Sequence, residues 1–164
     1  TSKMHHHENI GSKIAKEQLD NLKTPKAITE KVCTLIENHM FDLEGNAKIS
    51  TIRKKAGQVG FDNFLMLASL RRADFLGSGK GADFDTAIRW ENVINQMREQ
   101  NTPESISDLE IKGKDLMDAL EIKEGQKVGL ILERLFQITL QKPKQNKREL
   151  LLAHARKILK ERDY

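Results

Sequence analysis

The chain reads as all-α, a multi-helix fold, on three observations. Apolar residues recur every three or four positions through most of its length, and no segment shows the alternating period of a half-buried strand. Charged residues make up 32% and aromatics only 5%, the balance of a well-hydrated helical protein. The prolines Pro25, Pro103 and Pro143 each stand where one periodic segment stops and another starts. At 164 residues there is enough chain for one substantial core or two small ones.

The elements follow in order. Gly11, Ile14, Ala15, Leu19 and Leu22 share a helical face that ends before Thr24-Pro25, an N-cap and first-turn pair for the next helix. That helix carries Ile28, Val32, Leu35, Ile36 and Met40 on one stripe. A polar connection through Glu44-Gly45-Asn46 leads to Ile49, Ile52, Ala56 and Val59, a helix bearing Arg53-Lys54-Lys55 and ending at Gly60. Between Asp62 and Phe75 the residues Phe64, Leu65, Met66, Leu67, Ala68 and Leu70 are apolar on every side, which predicts a central buried helix.

Gly77-Ser78-Gly79-Lys80-Gly81 is a connecting loop, because the strand and the Lys-Ser/Thr pair of a phosphate-binding P-loop are missing. Residues 82–101 read as one long polar helix carrying the only tryptophan, Trp90, with Asp83 and Asp85 as first-turn acids. Pro103 sets the division between residues 1–101 and 105–164. Ile106 to Leu120 and Glu124 to Leu132 then give two short helical signals around a glycine-bearing turn. The second opens with Gly125 and Gly129 and continues its stripe through Val128, Ile131, Leu132, Leu135, Phe136 and Thr139. Asn146 is expected to cap a last helix with Leu151, Ala155 and Ile158 inward.

The net charge of +4 is unevenly spread. Residues 1–111 hold 15 basic and 16 acidic side chains, whereas 112–164 hold 13 and 8. A basic C-terminal helix and a lysine-rich glycine turn, with backbone N–H groups at a helix start, suit a phosphate backbone. A solvated helix face would show the same charges. No apolar run approaches membrane-spanning length, and no secretory signal precedes the first helix. The single cysteine, Cys33, excludes an internal disulfide and fits a reducing, cytoplasmic setting, where packing is its expected role.

His5-His6-His7-Glu8 is the obvious metal candidate, and the remnant of a purification tag is its plainer reading. His39 falls on the face of Val32, Leu35 and Ile36, and Asp74 on that of Leu67 and Leu70. A carboxylate on a buried stripe needs a cation, a metal or strong hydrogen bonds. Taken singly, His39 reads as a satisfied core histidine and Asp74 as a partner of Arg71 or Arg72. Together, His7-Glu8, His39-Met40 and Ala73-Asp74-Phe75-Leu76 resemble the later ligands of an HD-type phosphohydrolase site. That family's earlier histidine and adjacent His-Asp pair have no counterpart here, so the expectation is weak divalent-metal binding and no hydrolysis. No nucleophile elbow, Cys-His pair or isolated carboxylate pair offers another catalytic site.

The whole chain resembles the C-terminal region of bacterial CCA-adding tRNA nucleotidyltransferases and their poly(A) polymerase relatives. The N-terminal part through Arg71-Arg72-Ala73-Asp74 is similar to the second half of that family's HD domain. Leu109 to Leu152, with Gly113-Lys114-Asp115-Leu116-Met117 and Gly125, Val128, Gly129, Ile131, Leu132 and Leu135, is similar to its tRNA-contacting helices. The resemblance implies a transferase parent that extends RNA 3′ ends with CTP or ATP and magnesium. Its nucleotidyltransferase head is missing from this chain, which contains no glycine-serine strand followed by an Asp-x-Asp pair. The chain begins at Thr1 rather than methionine, as a fragment would.

The expected role is therefore to bind and position tRNA by backbone and shape. The expected RNA-binding residues are Lys112, Gly113, Lys114, Gly125, Lys127, Gly129, Lys147, Arg148, Arg156 and Lys157. Few aromatics are available to stack bases, so single-strand sequence reading is not expected. Two rival expectations stand beside this one. One is a remnant of a metal-dependent HD phosphohydrolase, and the other a helical interaction module without RNA affinity.

Overall fold

A computed structural model describes residues 7–77 and 84–161. His5, His6, Asp83, Arg162 and most of the Gly77–Gly81 loop lie outside the described residues, as does the side chain of His7. The described residues form helices and connections with no strand, in agreement with the all-α expectation. In chain order the helices are α1 (His7–Asn21), α2 (Lys26–Asn38), α3 (Ile49–Val59), α4 (Phe61–Gly77) and α5 (Asp85–Glu99). They continue with α6 (Gly113–Leu120), α7 (Gln126–Gln141) and α8 (Arg148–Lys160), with single 3-10 turns at Ile106–Asp108 and Pro143–Gln145.

The chain divides into two compact units, Thr1–Lys48 with Phe61–Asn92, and Ile49–Gly60 with Val93–Tyr164. In the first, α1 and α2 pack as a hairpin through small residues. A Cβ on Gly11 would sit 3.4 Å from Ile36 Cγ2. Ser12 and Thr29 are buried, Ser12 Oγ donates to Glu37 Oε1 at 2.7 Å, and the Cys33 thiol points at Ser12 O, 3.7 Å away. Because the seam uses small side chains, the large ones face out: Ile10, Ile14, Leu22 and Ile28 are all at least half exposed. Of the expected inward stripe of α1, Gly11, Ala15 and Leu19 are half-buried, Ile14 and Leu22 are exposed, and Ser12 joins the buried side.

Thr24 does not cap α2. Lys23 adopts a left-handed φ of 55°, and Thr24 N–H donates back to Leu19 O at 2.9 Å, closing α1 in a Schellman turn. Pro25 then precedes α2 with no side-chain cap.

Helix α4 is one-sided rather than buried all round. Phe61, Phe64, Leu67, Ala68 and Arg71 are buried, whereas Met66 and Leu70 are 40% and 42% exposed. α5 likewise departs from the polar reading, since Ala87, Trp90, Val93, Ile94 and Met97 form a buried stripe along it.

Trp90 packs beside Phe41 and Phe64, ring centroids 5.4 and 5.3 Å away, and donates its indole N–H to Asp42 Oδ2 at 3.1 Å. The other Asp42 oxygen accepts Ala47 N–H at 2.8 Å. Arg89 binds the carbonyls of Gly45 and Ala47 at 2.9 and 2.6 Å, and Arg71 binds that of Leu43. Two arginines and a tryptophan therefore satisfy a loop whose own backbone has no ladder to join.

In the second unit α7 touches α3, α6 and α8. Gln141 Nε2 donates to Ser50 O at 3.0 Å, and Gly57 lies against Leu140, so α3 packs along the last turn of α7. The buried Arg53 donates Nε to Leu140 O and Nη2 to Gln100 Oε1, both at 2.7 Å. Burial lowers its pKa, yet a guanidinium keeps its charge. Ile111, Leu116, Ile131, Leu135, Leu140, Leu151 and Ala155 complete this core.

Candidate nucleic-acid interface

Charge follows the two units. The first holds 11 basic and 12 acidic side chains, the second 17 and 12. The positive excess thus belongs to the unit that contains every residue expected to contact RNA.

Those residues are not equivalent. Lys112 precedes α6, and its ammonium donates to Ser107 O and, at 3.2 Å, to Leu109 O. It closes the 3-10 turn that Ser105 and Asp108 open, where Asp108 Oδ2 accepts Ser105 N–H at 2.9 Å. Arg148 Nη2 lies 2.7 Å from Asp115 Oδ1, and Lys112 N–H donates to Asp115 Oδ2 at 2.8 Å. These bonds hold the Asp115 carboxyl below its usual range, Arg148 contributing most. Lys112 and Arg148 therefore join the 3-10 turn, α6 and α8 together.

The glycines also separate. Gly113, half-buried, brings α6 against α7: a Cβ there would sit 3.3 Å from Val128 Cγ1. Gly125 precedes α7 with φ 156° and ψ −173°, a conformation essentially confined to glycine. Nothing lies within 4 Å of a Cβ built on Gly125 or Gly129, and no side chain caps the start of α7. Gly125, Gln126, Lys127, Gly129 and Leu130 are exposed around that start. The first N–H groups of a helix have no intrahelical acceptor, so this end can meet an anion without displacing a cap.

On α8, Leu151 and Ala155 are buried, and Ala153, Arg156, Lys157 and Lys160 form the outer face. Lys114 and Lys147 are exposed too. Asn146 does not cap α8. Its amide clamps the 108–110 backbone instead, donating to Asp108 O at 3.1 Å and accepting Glu110 N–H at 3.0 Å, and Lys147 precedes the helix. The α3 cluster is not an open basic patch: Arg53 is buried, and Lys54 shares a cavity of about 710 Å³ with Glu104 and Glu133.

The metal candidates come out differently. His39 Nδ1 sits 2.6 Å from Ile36 O, at the end of its own helix. Asp74 follows buried Leu67 by seven residues and Arg71 by three, but it lies past Arg71, the last buried residue of α4, and is exposed. Arg71 serves Leu43 O, and Arg72 pairs with Glu91 at 2.6 Å. No group of three His, Cys, Asp or Glu side chains able to hold a metal occurs among the described residues.

Sequence reading passed over Asp115, whose role depends on partners 3 and 33 residues away. It also passed over Gln137, Gln141, Gln145 and His154, which line one cavity but form no linear motif.

Fold and charge together define an all-helical module whose basic unit offers an uncapped helix start and an outward lysine-arginine face. Comparison with known families makes this specific. The chain belongs to the tRNA nucleotidyltransferase domain 2 family, whose model matches residues 3–155. No curated protein and no solved structure matches it significantly. No helix among the described residues is long and apolar enough to cross a membrane.

Proposed function

We propose that this chain binds tRNA and positions it for nucleotide addition at the 3′ end, in the cytoplasm, while a separate nucleotidyltransferase head carries out the chemistry. That head would use magnesium with CTP or ATP. The observation that carries the reading is the start of α7, where Gly125 and Gly129 leave open space above an uncapped helix end beside Lys127. Family membership supports tRNA as the polyanion.

Phosphates approach the N–H groups of Gly125, Gln126 and Lys127, since Val128 N–H already donates to Gly125 O at 3.1 Å, with the Lys114 and Lys127 side chains beside them. Arg156 and Lys157, with Lys147 at the head of α8, add longer-range attraction. Lys112, Gly113 and Arg148 shape this surface more than they touch RNA, because each is engaged within the unit. His7, His39 and Asp74 have no part in this reading.

The test is tRNA binding by the whole chain across a salt series. Affinity should fall steeply with salt. Replacing Lys127, Arg156 and Lys157 together should flatten that dependence, the slope falling by about one for each phosphate no longer neutralised. Salt-independent or absent binding would leave a helical module without RNA affinity.

A further inference from the structure

Backbone contact leaves one cluster without a role. Gln137 and Gln141 lie one turn apart on α7, Gln145 in the following 3-10 turn and His154 on α8, and with Ile138 and Lys142 they line a cavity of about 400 Å³. That volume lies within the roughly 300–1,000 Å³ of small-ligand sites.

The polar groups are partly committed, which defines what remains. Gln141 Nε2 donates to Ser50 O at 3.0 Å, leaving its Oε1 to accept. His154 Nε2 lies 3.0 Å from Gln145 Oε1, leaving the Gln145 NH₂ to donate. Gln137 contributes a carboxamide with both functions. The cavity thus suits a guest with donors and acceptors side by side on one edge, an apolar face for Ile138 and an anion for Lys142. Lys144, exposed in the same 3-10 turn, strengthens the preference for an anion. A nucleotide whose base is unpaired combines all three properties, because carboxamides pair with base edges. A base already paired in a duplex has its Watson–Crick edge occupied.

We propose that this cavity holds one unpaired nucleobase of a bound RNA, read at its edge by Gln137, Gln141 and Gln145, with His154 fixing the Gln145 amide. The proposal rests on the RNA-binding reading and adds a preference that phosphate contacts cannot supply, single-stranded over paired nucleotides. It replaces the expectation that scarce aromatics rule out base reading.

The test has two arms. In NMR titrations of the wild-type chain, at least one of the four ribonucleoside monophosphates should shift the side-chain signals of Gln137, Gln141, Gln145 and His154. Ribose 5-phosphate, with the same sugar and phosphate but no base, should not; equal shifts with both would overturn the proposal. In the second arm, Gln137→Leu should weaken binding to a hairpin with an unpaired loop roughly fivefold or more while leaving a blunt duplex unaffected. If the wild type binds both RNAs and Gln137→Leu changes neither, the cavity proposal fails and the RNA reading survives. If the wild type binds no RNA, the RNA reading itself fails.

Discussion

The Arg148 guanidinium meets the Asp115 carboxylate at 2.7 Å while the opposite carboxylate oxygen accepts Lys112 N–H at 2.8 Å. One side chain thus holds the first residue of α8 and the start of α6. Asp115 has a lowered pKa in the folded state, so it binds a proton more readily when unfolded. Its contribution is present above the ordinary carboxylate range and is lost as pH falls through the lowered folded value. Asp115→Asn should therefore unfold at lower urea than the wild type at pH 7, with the gap closing toward pH 3. An equal gap at both pH values would rule out the ionised pair as its source.

Lys112 and Arg148 are held by contacts within their unit, whereas Arg156 and Lys157 lie on the exposed outer face of α8. Arg148→Ala and Lys112→Ala should lower stability with little change in the salt slope of tRNA binding. Arg156→Ala and Lys157→Ala should do the reverse, each reducing the slope by about one. Parallel urea and salt titrations on the four variants separate the two groups.

Gly57 is where α3 and α7 approach most closely among their glycine contacts. A Cβ there would lie 2.8 Å from Leu140 Cδ2 and closer still to Cδ1, with Leu140 fully buried. Alanine would gain about 1 kcal/mol in helix propensity. Overpacking costs about 1–3 kcal/mol, so Gly57→Ala should be net destabilising in urea unfolding. A more stable variant would mean that Leu140 can move aside.

Gly129 tests stability and binding against each other. Its Cβ position is empty and it lies inside α7, so Gly129→Ala should stabilise the chain by about 0.5–1 kcal/mol. If RNA backbone approaches that space, the same variant should bind tRNA several-fold more weakly. Gly125→Ala should weaken both, because its φ of 156° strains any other residue by about 1–3 kcal/mol. Unchanged tRNA affinity in Gly129→Ala would move the phosphate contact away from α7.

Helical periodicity made the fold class legible, and the paired motifs at Gly113 and Gly125 pointed to the family. Burial was harder to read where packing used small residues. Between α1 and α2 the seam runs through Gly11, Ser12 and Thr29, so Ile14, Leu22 and Ile28 of the expected stripes face out while Gly11, Ala15 and Leu19 stay half-buried. In α4 a nearly continuous apolar run concealed a one-sided stripe, and around Trp90 polar neighbours concealed a buried one. Within the site, composition gave the charge but not its engagements. Nothing local to Lys112 reveals that its ammonium faces two carbonyls, or that Asn146 clamps a chain segment 36 and 38 residues away.

The Arg53 contact with Leu140 O has an electrostatic consequence for α7. The aligned peptide dipoles of a helix leave a partial negative charge at its C-terminal end and an equal positive one at its start. In α7 the negative end is met by a buried guanidinium from α3, whereas no side chain caps the positive end at Gly125. A buried charge thus meets the C-terminal pole, while the exposed Glu124 and Lys127 flank the other. On the proposed reading, the partial positive charge at that glycine-bearing start would draw a phosphate independently of the lysines.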